Sequence, residues 1–517
     1  MTTAYPVTDK NSRAIYGSNR AAEFIKDATS GANSLDVIVF GDSNAGSDAL
    51  TGYTQGWAQA LTNLGIPVYA TPMQITSHMD QAASQNRSGG LFGDFVKTIF
   101  YGTSTAGVSG TGSISNISTA VAAANADAIS FDAYMGDISA FGIKPGSFTY
   151  DVAFIASGDN YTSPANGGAV WINAGHPMVI GGGAGGVELQ YRVVYGTFQG
   201  AGGKFRLQAL RGVNTLIAGS SSDISADTPA GLGNHIYATA TLDFNSPASA
   251  TQNSKVICSF DGYNRLGDWT PVGPVAFIWQ SVIRRNYKGH CVSCLNYYGG
   301  ATSTALANSV VAGGKSLESY IKEIRERQIA AGGTGRVIWW HNSGINMGGE
   351  TPASWVSSAQ QIVVKVKQVW ASLGYPEADL AFVMSPTHPT NAGATGDGGW
   401  SQERTRVLAA AVNWINGNNG FADSGVTLVD IGALISAAEL SRRNLYQVFQ
   451  NGKNESHLRS PPFGASSITY KEGSQNNVTS GTPGFYYSTD FDCIPQIPNN
   501  GYVVVADMIA RALLDNL

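Results

Sequence analysis

Charge is scarce in this 517-residue chain: Asp, Glu, Lys and Arg together make up 13%, against a usual share of about 25%. No basic run occurs and the net charge is −5. A nucleic-acid partner, which needs a Lys/Arg-rich face, is therefore not expected. No stretch of about 18 apolar residues occurs, so no membrane span is expected. The opening MTTAYPVTDKNSRAIYGSNR has no apolar core of the kind a signal peptide carries. There are four cysteines, too few for a disulfide scaffold. Cys291 and Cys294 lie three apart in the apolar run HCVSCLNYY. On a strand they point to opposite faces, which favours buried thiols over a shared metal or a redox pair. Cys258 and Cys493 stand alone. No His/Asp/Glu group has ligand spacing, so neither a metal nor any other cofactor is expected.

What the chain does have is apolar residues, 43%, and 63 glycines. That is enough for a large core with many turns. The length suggests two to four domains, or one domain with large insertions. Residues 1–100 hold a helix, RAAEFIKDAT, a strand, LDVIVF, and a helix in TGYTQGWAQALTNLG. In that second helix Trp57, Leu61 and Leu64 share a face and Gly65 is placed to end it. Residues 101–128 are Gly-, Ser-, Thr- and Ala-rich and read as a linker. Residues 129–285 hold short β-like runs such as VELQYRVVYGTF, KFRLQAL, HIYATATLDF and KVICSF, which predict an inserted all-β sandwich or jelly roll.

Residues 286–517 alternate strand and helix: CVSCLNYY, KSLESYIKEIRERQIA, RVIWW, a helix from TPASW, DLAFVMS, QERTRVLAAAVNWI, VTLVDI and GYVVVADMIARALLDNL. With the opening strand, this predicts an α/β fold: a five-stranded, parallel, doubly wound, flavodoxin-like sheet.

In such sheets ligands bind beyond the carboxyl ends of the strands. The first strand ends in Gly41-Asp42-Ser43. Ser43 is either an exposed nucleophile or an ordinary loop or cap serine. The second strand ends in NYYGGATS, where Gly300 lets a backbone N–H approach a ligand. The third ends in WWHNSGIN, where Asn346 can donate to developing negative charge. Each feature alone also reads as a polar turn.

Together these strand ends resemble the SGNH (GDSL-type) hydrolase superfamily, whose Ser, Gly, Asn and His appear in that chain order at successive strand ends. FGDSN matches the first block, NYYGGAT the second and GIN the third, with Met347 where the family has Asp. The resemblance covers residues 35–65 and 290–517. It implies that Ser43 attacks an ester carbonyl. It also implies an oxyanion hole formed by the Ser43 and Gly300 backbone N–H groups and the Asn346 side chain. A histidine, oriented by an acid, would take the serine proton.

The fourth block departs from the family. Its tail, PNNGYVVVADMIARALL, matches, but the histidine slot falls on Gln496, or on Pro495 if the acid is Asp492. Neither is a general base. Of the seven histidines, His457 is taken as the base, because it lies in the long irregular segment before the final block. His341, at the end of the third strand, is the alternative. Asp492 is taken as the orienting acid, with Asp490 beside it, while Asp430 is expected to cap a helix.

The resulting expectation is a serine esterase that removes acyl, above all acetyl, groups from a polysaccharide or surface glycan. The inserted sandwich, 129–285, resembles a carbohydrate-binding module, and the lack of a signal peptide with low charge and abundant Gly, Ser and Thr suggests, by analogy, a phage-tail or other virion component acting extracellularly. Its partners would be an acylated glycan and other virion proteins, and a homo-oligomer is compatible with this. The competing reading is a structural or receptor-binding virion protein whose SGNH site has lost its base.

Overall fold

The computed structural model describes residues 14–46, 53–66, 69–72, 153–155, 188–196, 204–211, 216–225, 227, 237–245, 256–261, 275–285, 289–296, 302–311, 314–343, 350–386, 400–416, 425–437 and 501–517. In chain order the strands are β1 (Ile15–Gly17), β2 (Asp36–Gly41), β3 (Tyr69–Pro72), β4 (Ala153–Ile155), β5 (Glu188–Gly196), β6 (Lys204–Arg211), β7 (Leu216–Ser220), β8 (Ile224–Ser225), β9 (Tyr237–Asn245), β10 (Val256–Asp261), β11 (Val275–Arg284), β12 (Cys291–Asn296), β13 (Val337–Ser343), β14 (Leu380–Pro386) and β15 (Val426–Val429). The helices are α1 (Arg20–Thr29), α2 (Ser43–Gly46), α3 (Tyr53–Asn63), α4 (Ser303–Val311), α5 (Gly314–Ala330), α6 (Pro352–Ser372), α7 (Trp400–Ile415), α8 (Ile431–Ala437) and α9 (Gly501–Asp515).

The main sheet is mixed but dominated by parallel pairs. It has seven strands in the order β1-β15-β14-β13-β2-β12-β3. All five predicted strands are present, and they pair with one another in parallel. The expected count of five is corrected by two edge strands. β1 pairs antiparallel with β15, and β3 pairs parallel with β12. Both are too short to show a sequence period, and β3 ends on Pro72, a residue tolerated at sheet edges. β2, β13 and β14 are buried along their whole length, which is why their sequences are continuous apolar runs rather than alternating ones.

Helices cover both faces. On β13, Trp340 packs edge-on against Tyr53 of α3, with ring centroids 4.6 Å apart. The neighbouring residue His341 faces the other way, toward Trp355 of α6. α3 lies against α9, and α4, α5 and α7 each contact α6. α6 begins as its sequence predicts. Thr351 accepts from the Ser354 N–H at 3.1 Å, Ser354 Oγ accepts from the Thr351 N–H at 2.8 Å, and Pro352 occupies the first turn. Gly65, at φ +83°, follows α3, and the Ile66 N–H bonds back to the Leu61 carbonyl at 3.0 Å, a left-handed stop that favours glycine.

The amino ends of the strands hold a closed polar cluster. Asp36 of β2 pairs with Arg327 of α5 and accepts from Ser293 Oγ of β12 at 2.8 Å. Cys291 is a free, buried thiol there, pushed up to about 12 by burial.

Between β3 and β12 lie two four-stranded antiparallel sheets. One is β10-β6-β7 with β8 on β6, the other β4-β11-β5-β9. β9 touches β6 and β7 across the two sheets. Every described element of this stretch is a strand, and it includes a ten-residue strand, β11, that lacks a clean alternation. The predicted linker, 101–128, lies outside the described residues. Arg192 of β5 reaches from this insert to Glu323 of α5 and bonds both of its carboxylate oxygens.

Candidate active site

The three strand ends that carry the proposed chemistry are neighbours. β2 sits between β12 and β13, and Gly41 is in register with Asn296 on one side and Asn342 on the other. β2 is also where the chain changes direction across the sheet, since the strands that follow it lie on opposite sides. A switch point of this kind opens a crevice at the carboxyl ends. Ser43 follows Gly41 by two residues, Gly300 follows Asn296 by four and Asn346 follows Asn342 by four. The chain thus leaves three adjacent strands at one level toward these three residues.

The turn at Ser43 is built by its neighbours. A Cβ on Gly41 would collide with the Asn342 carbonyl oxygen, so the close approach of β2 to β13 requires glycine there. The chain then enters α2, which begins at Ser43. Asp42 is buried, and its Oδ1 accepts from the Asn44 backbone N–H at 3.0 Å and from Asn44 Nδ2 at 3.2 Å. This is a local cap. Asn44 Oδ1 in turn accepts from the Tyr502 hydroxyl at 2.9 Å. Tyr502, at the start of α9, stands edge-on to Tyr53 with centroids 4.9 Å apart. Burial, with Tyr502 and Asp42 adding to it, pushes the Tyr53 phenol well above its ordinary value, so it is neutral.

The roots of the two neighbouring loops are tied together. Glu350 accepts from the Ser303 and Thr304 backbone N–H groups at 3.1 and 2.6 Å, which caps α4. Ser303 Oγ lies 3.0 Å from Ser343 Oγ, and Ser343 Oγ lies 2.9 Å from His341 Nε2. Trp355 Nε1 donates to Ser343 Oγ at 3.1 Å. The chain from His341 to Ser303 thus bridges the base of the loop after β12 and the base of the loop after β13.

Ser43 opens α2, two residues beyond the end of β2. His341 is fully buried among Phe40, Trp355 and Ser343. Burial pushes its imidazole down to about 3, against a smaller upward pull from the Phe40 carbonyl. It is a neutral core residue with Nε2 already bonded, which is poor placement for taking a proton from a serine. Asp430 caps α8, as expected, accepting from the Ala433 N–H at 3.0 Å. Gly300, Asn346, His457, Asp490, Asp492 and Gln496 lie outside the described residues. Sequence reasoning did not single out Tyr502, Glu350, Ser303 or Ser343. Only Tyr502 carried a signal, the Gly-Tyr pair that opens the last helix. Among the described residues, no group of three or more His, Cys, Asp or Glu could hold a metal, and no helix is long and apolar enough to cross a membrane.

No family model matches the chain, and no curated protein matches it. Among solved structures it is similar to a peptidoglycan O-acetylesterase, at 10% identity over 97% of this chain and 98% of that one, with a TM-score of 0.39. It is also similar to a family two carbohydrate esterase from Clostridium thermocellum, at 11% identity over 48% of this chain and 83% of that one, TM-score 0.19. A third is an acetyl xylan esterase from the rumen bacterium Butyrivibrio proteoclasticus, at 10% identity over 55% and 92%, TM-score 0.19. At TM-scores this low the likeness carries no argument about fold or function.

Proposed function

We propose that the chain is a serine esterase of the SGNH type that removes acetyl or related acyl groups from a polysaccharide or surface glycan. The observation that carries this is the arrangement of β12, β2 and β13: the Ser43 strand lies between the two whose loops carry Gly300 and Asn346, with all three ends in register. In the proposed reaction Ser43 Oγ attacks the ester carbonyl, and His457 takes the serine proton. The Ser43 and Gly300 backbone N–H groups and the Asn346 amide hold the oxyanion. Each such donor is worth about 3–4 kcal/mol in the transition state. The intermediate collapses by breaking the bond to the sugar oxygen, which leaves with the proton from His457. Asp492 orients the imidazole and steadies its charge. Water, deprotonated by the same histidine, then releases the acid and frees Ser43. The all-β insert would hold the glycan chain, and low charge with abundant glycine fits a virion or other extracellular setting.

One observation favours a second reading. The family's histidine slot is occupied by Gln496, so the chain would be a glycan- or receptor-binding protein with a silent site. Hydrolysis of p-nitrophenyl acetate, acetylated xylan and O-acetylated peptidoglycan by the full chain separates the two. Esterase activity lost in Ser43→Ala, and reduced to a similar level in His457→Ala, supports catalysis. No hydrolysis of any acyl ester supports binding alone.

A further inference from the structure

The Ser43 turn is bonded to the far end of the sequence. Tyr502 donates to Asn44 across 458 positions, and both side chains are buried. The contact is possible because α3 approaches the start of α9 closely. A Cβ on Gly56 would collide with the backbone of Tyr502. Tyr53, one turn before Gly56 on α3, stacks edge-on against the Tyr502 ring. The first turn of α9 is thus fixed at three points: a backbone contact, a ring contact and a hydroxyl hydrogen bond. The hydrogen bond ends on the residue after Ser43, and Asn44 is itself held by Asp42, the residue before it. A fold that needed only to pack α9 on α3 would be satisfied by the apolar contacts along the helices. The buried hydroxyl adds a directional link to one side chain in the nucleophile turn.

We propose that Tyr502 and Gly56 are positioning residues that key the first turn of α9 to the Ser43 turn. The proposal rests on the esterase reading. Tyr502 acts through Asn44 and Asp42 on the direction of Ser43, and its fixed place sets where the chain enters α9. A serine misdirected by about 1 Å loses on the order of a hundredfold in rate, with little change in substrate binding.

The test is pre-steady-state hydrolysis of p-nitrophenyl acetate by the full chain. Tyr502→Phe keeps the ring contact with Tyr53 and removes only the hydroxyl. The expected result is an acylation rate roughly ten- to a hundredfold lower, with KM unchanged and the same burst amplitude per folded protein. Asn44→Ala should give a similar loss, and Asn44→Ala/Tyr502→Phe should be no worse than either alone, since both break one link. Gly56→Ala should lower the rate further. A merely structural role would lower the melting temperature and the burst amplitude while leaving the rate per active site intact. If Tyr502→Phe acylates within about twofold of the wild type while Ser43→Ala shows no burst, the positioning role is overturned and the esterase reading stands. If the wild type shows no burst on any acyl ester, both fall.

Discussion

Removing the Glu323 carboxylate tests how the β insert is held on the α/β half of the molecule. The Arg192 and Glu323 side chains are 7% and 2% exposed. Arg192 donates from Nε and Nη2 to the two carboxylate oxygens, and Thr239 Oγ1 adds a third bond at 3.2 Å. Glu323→Ala leaves the guanidinium in the same enclosure, with Gln190 Oε1 at 2.6 Å and Glu326 at 3.9 Å as its remaining partners. Breaking a buried pair from one side costs about 3–5 kcal/mol, because the surviving charge stays desolvated. Glu323→Leu with Arg192→Met removes both charges and should recover most of that loss. Urea unfolding followed by tryptophan fluorescence reads the stabilities, and amide exchange in β5 reads whether the insert loosens first. A loss below about 1 kcal/mol in Glu323→Ala, the value of an exposed pair, would refute the reasoning. So would a double variant as unstable as the sum of the two single ones.

Two further outcomes are expected. Gly41→Ala forces a methyl group into the Asn342 carbonyl and should cost at least about 3 kcal/mol, the upper end for overpacking, together with the esterase activity; a stable and active variant would contradict the close approach. His341, held down to about 3, is neutral in the fold but takes up a proton in the unfolded chain below 6.5, so stability falls as pH drops from about 6.5 toward 3. His341→Gln cannot titrate and should lose less over that window, as read from urea midpoints against pH; parallel curves would contradict the buried neutral imidazole.

The parts of the fold that were legible in the sequence are those where burial is total or a local motif is strong. VIVF, VIWW and AFVM read as strands because both of their faces are covered. TPAS reads as a helix start because the cap and the proline act within four residues. The edge strands at Ile15 and Tyr69 were not legible, since a strand of three or four residues bonded on one side leaves no pattern. α4, STALANSVV, was missed because its place is set by packing on α6 and by the Glu350 cap, not by its own periodicity. The same division holds at the site. Ser43 is visible from the Gly-Asp-Ser turn at a strand end. The Asn44–Tyr502 and Arg192–Glu323 bonds join residues 458 and 131 positions apart, and no local signal announces either pair. His341 looked available from its position at a strand end. Its fate was decided by Phe40, its in-register neighbour on β2, and by Trp355 of α6, which together enclose it.

The most direct test of the central claim is to quench the reaction with p-nitrophenyl acetate in acid and map the acylated peptide by mass spectrometry. The expected result is a single acetyl group on Ser43, formed at the burst rate and missing from Ser43→Ala. An acetyl group on any other residue, or hydrolysis undiminished in Ser43→Ala, would contradict it.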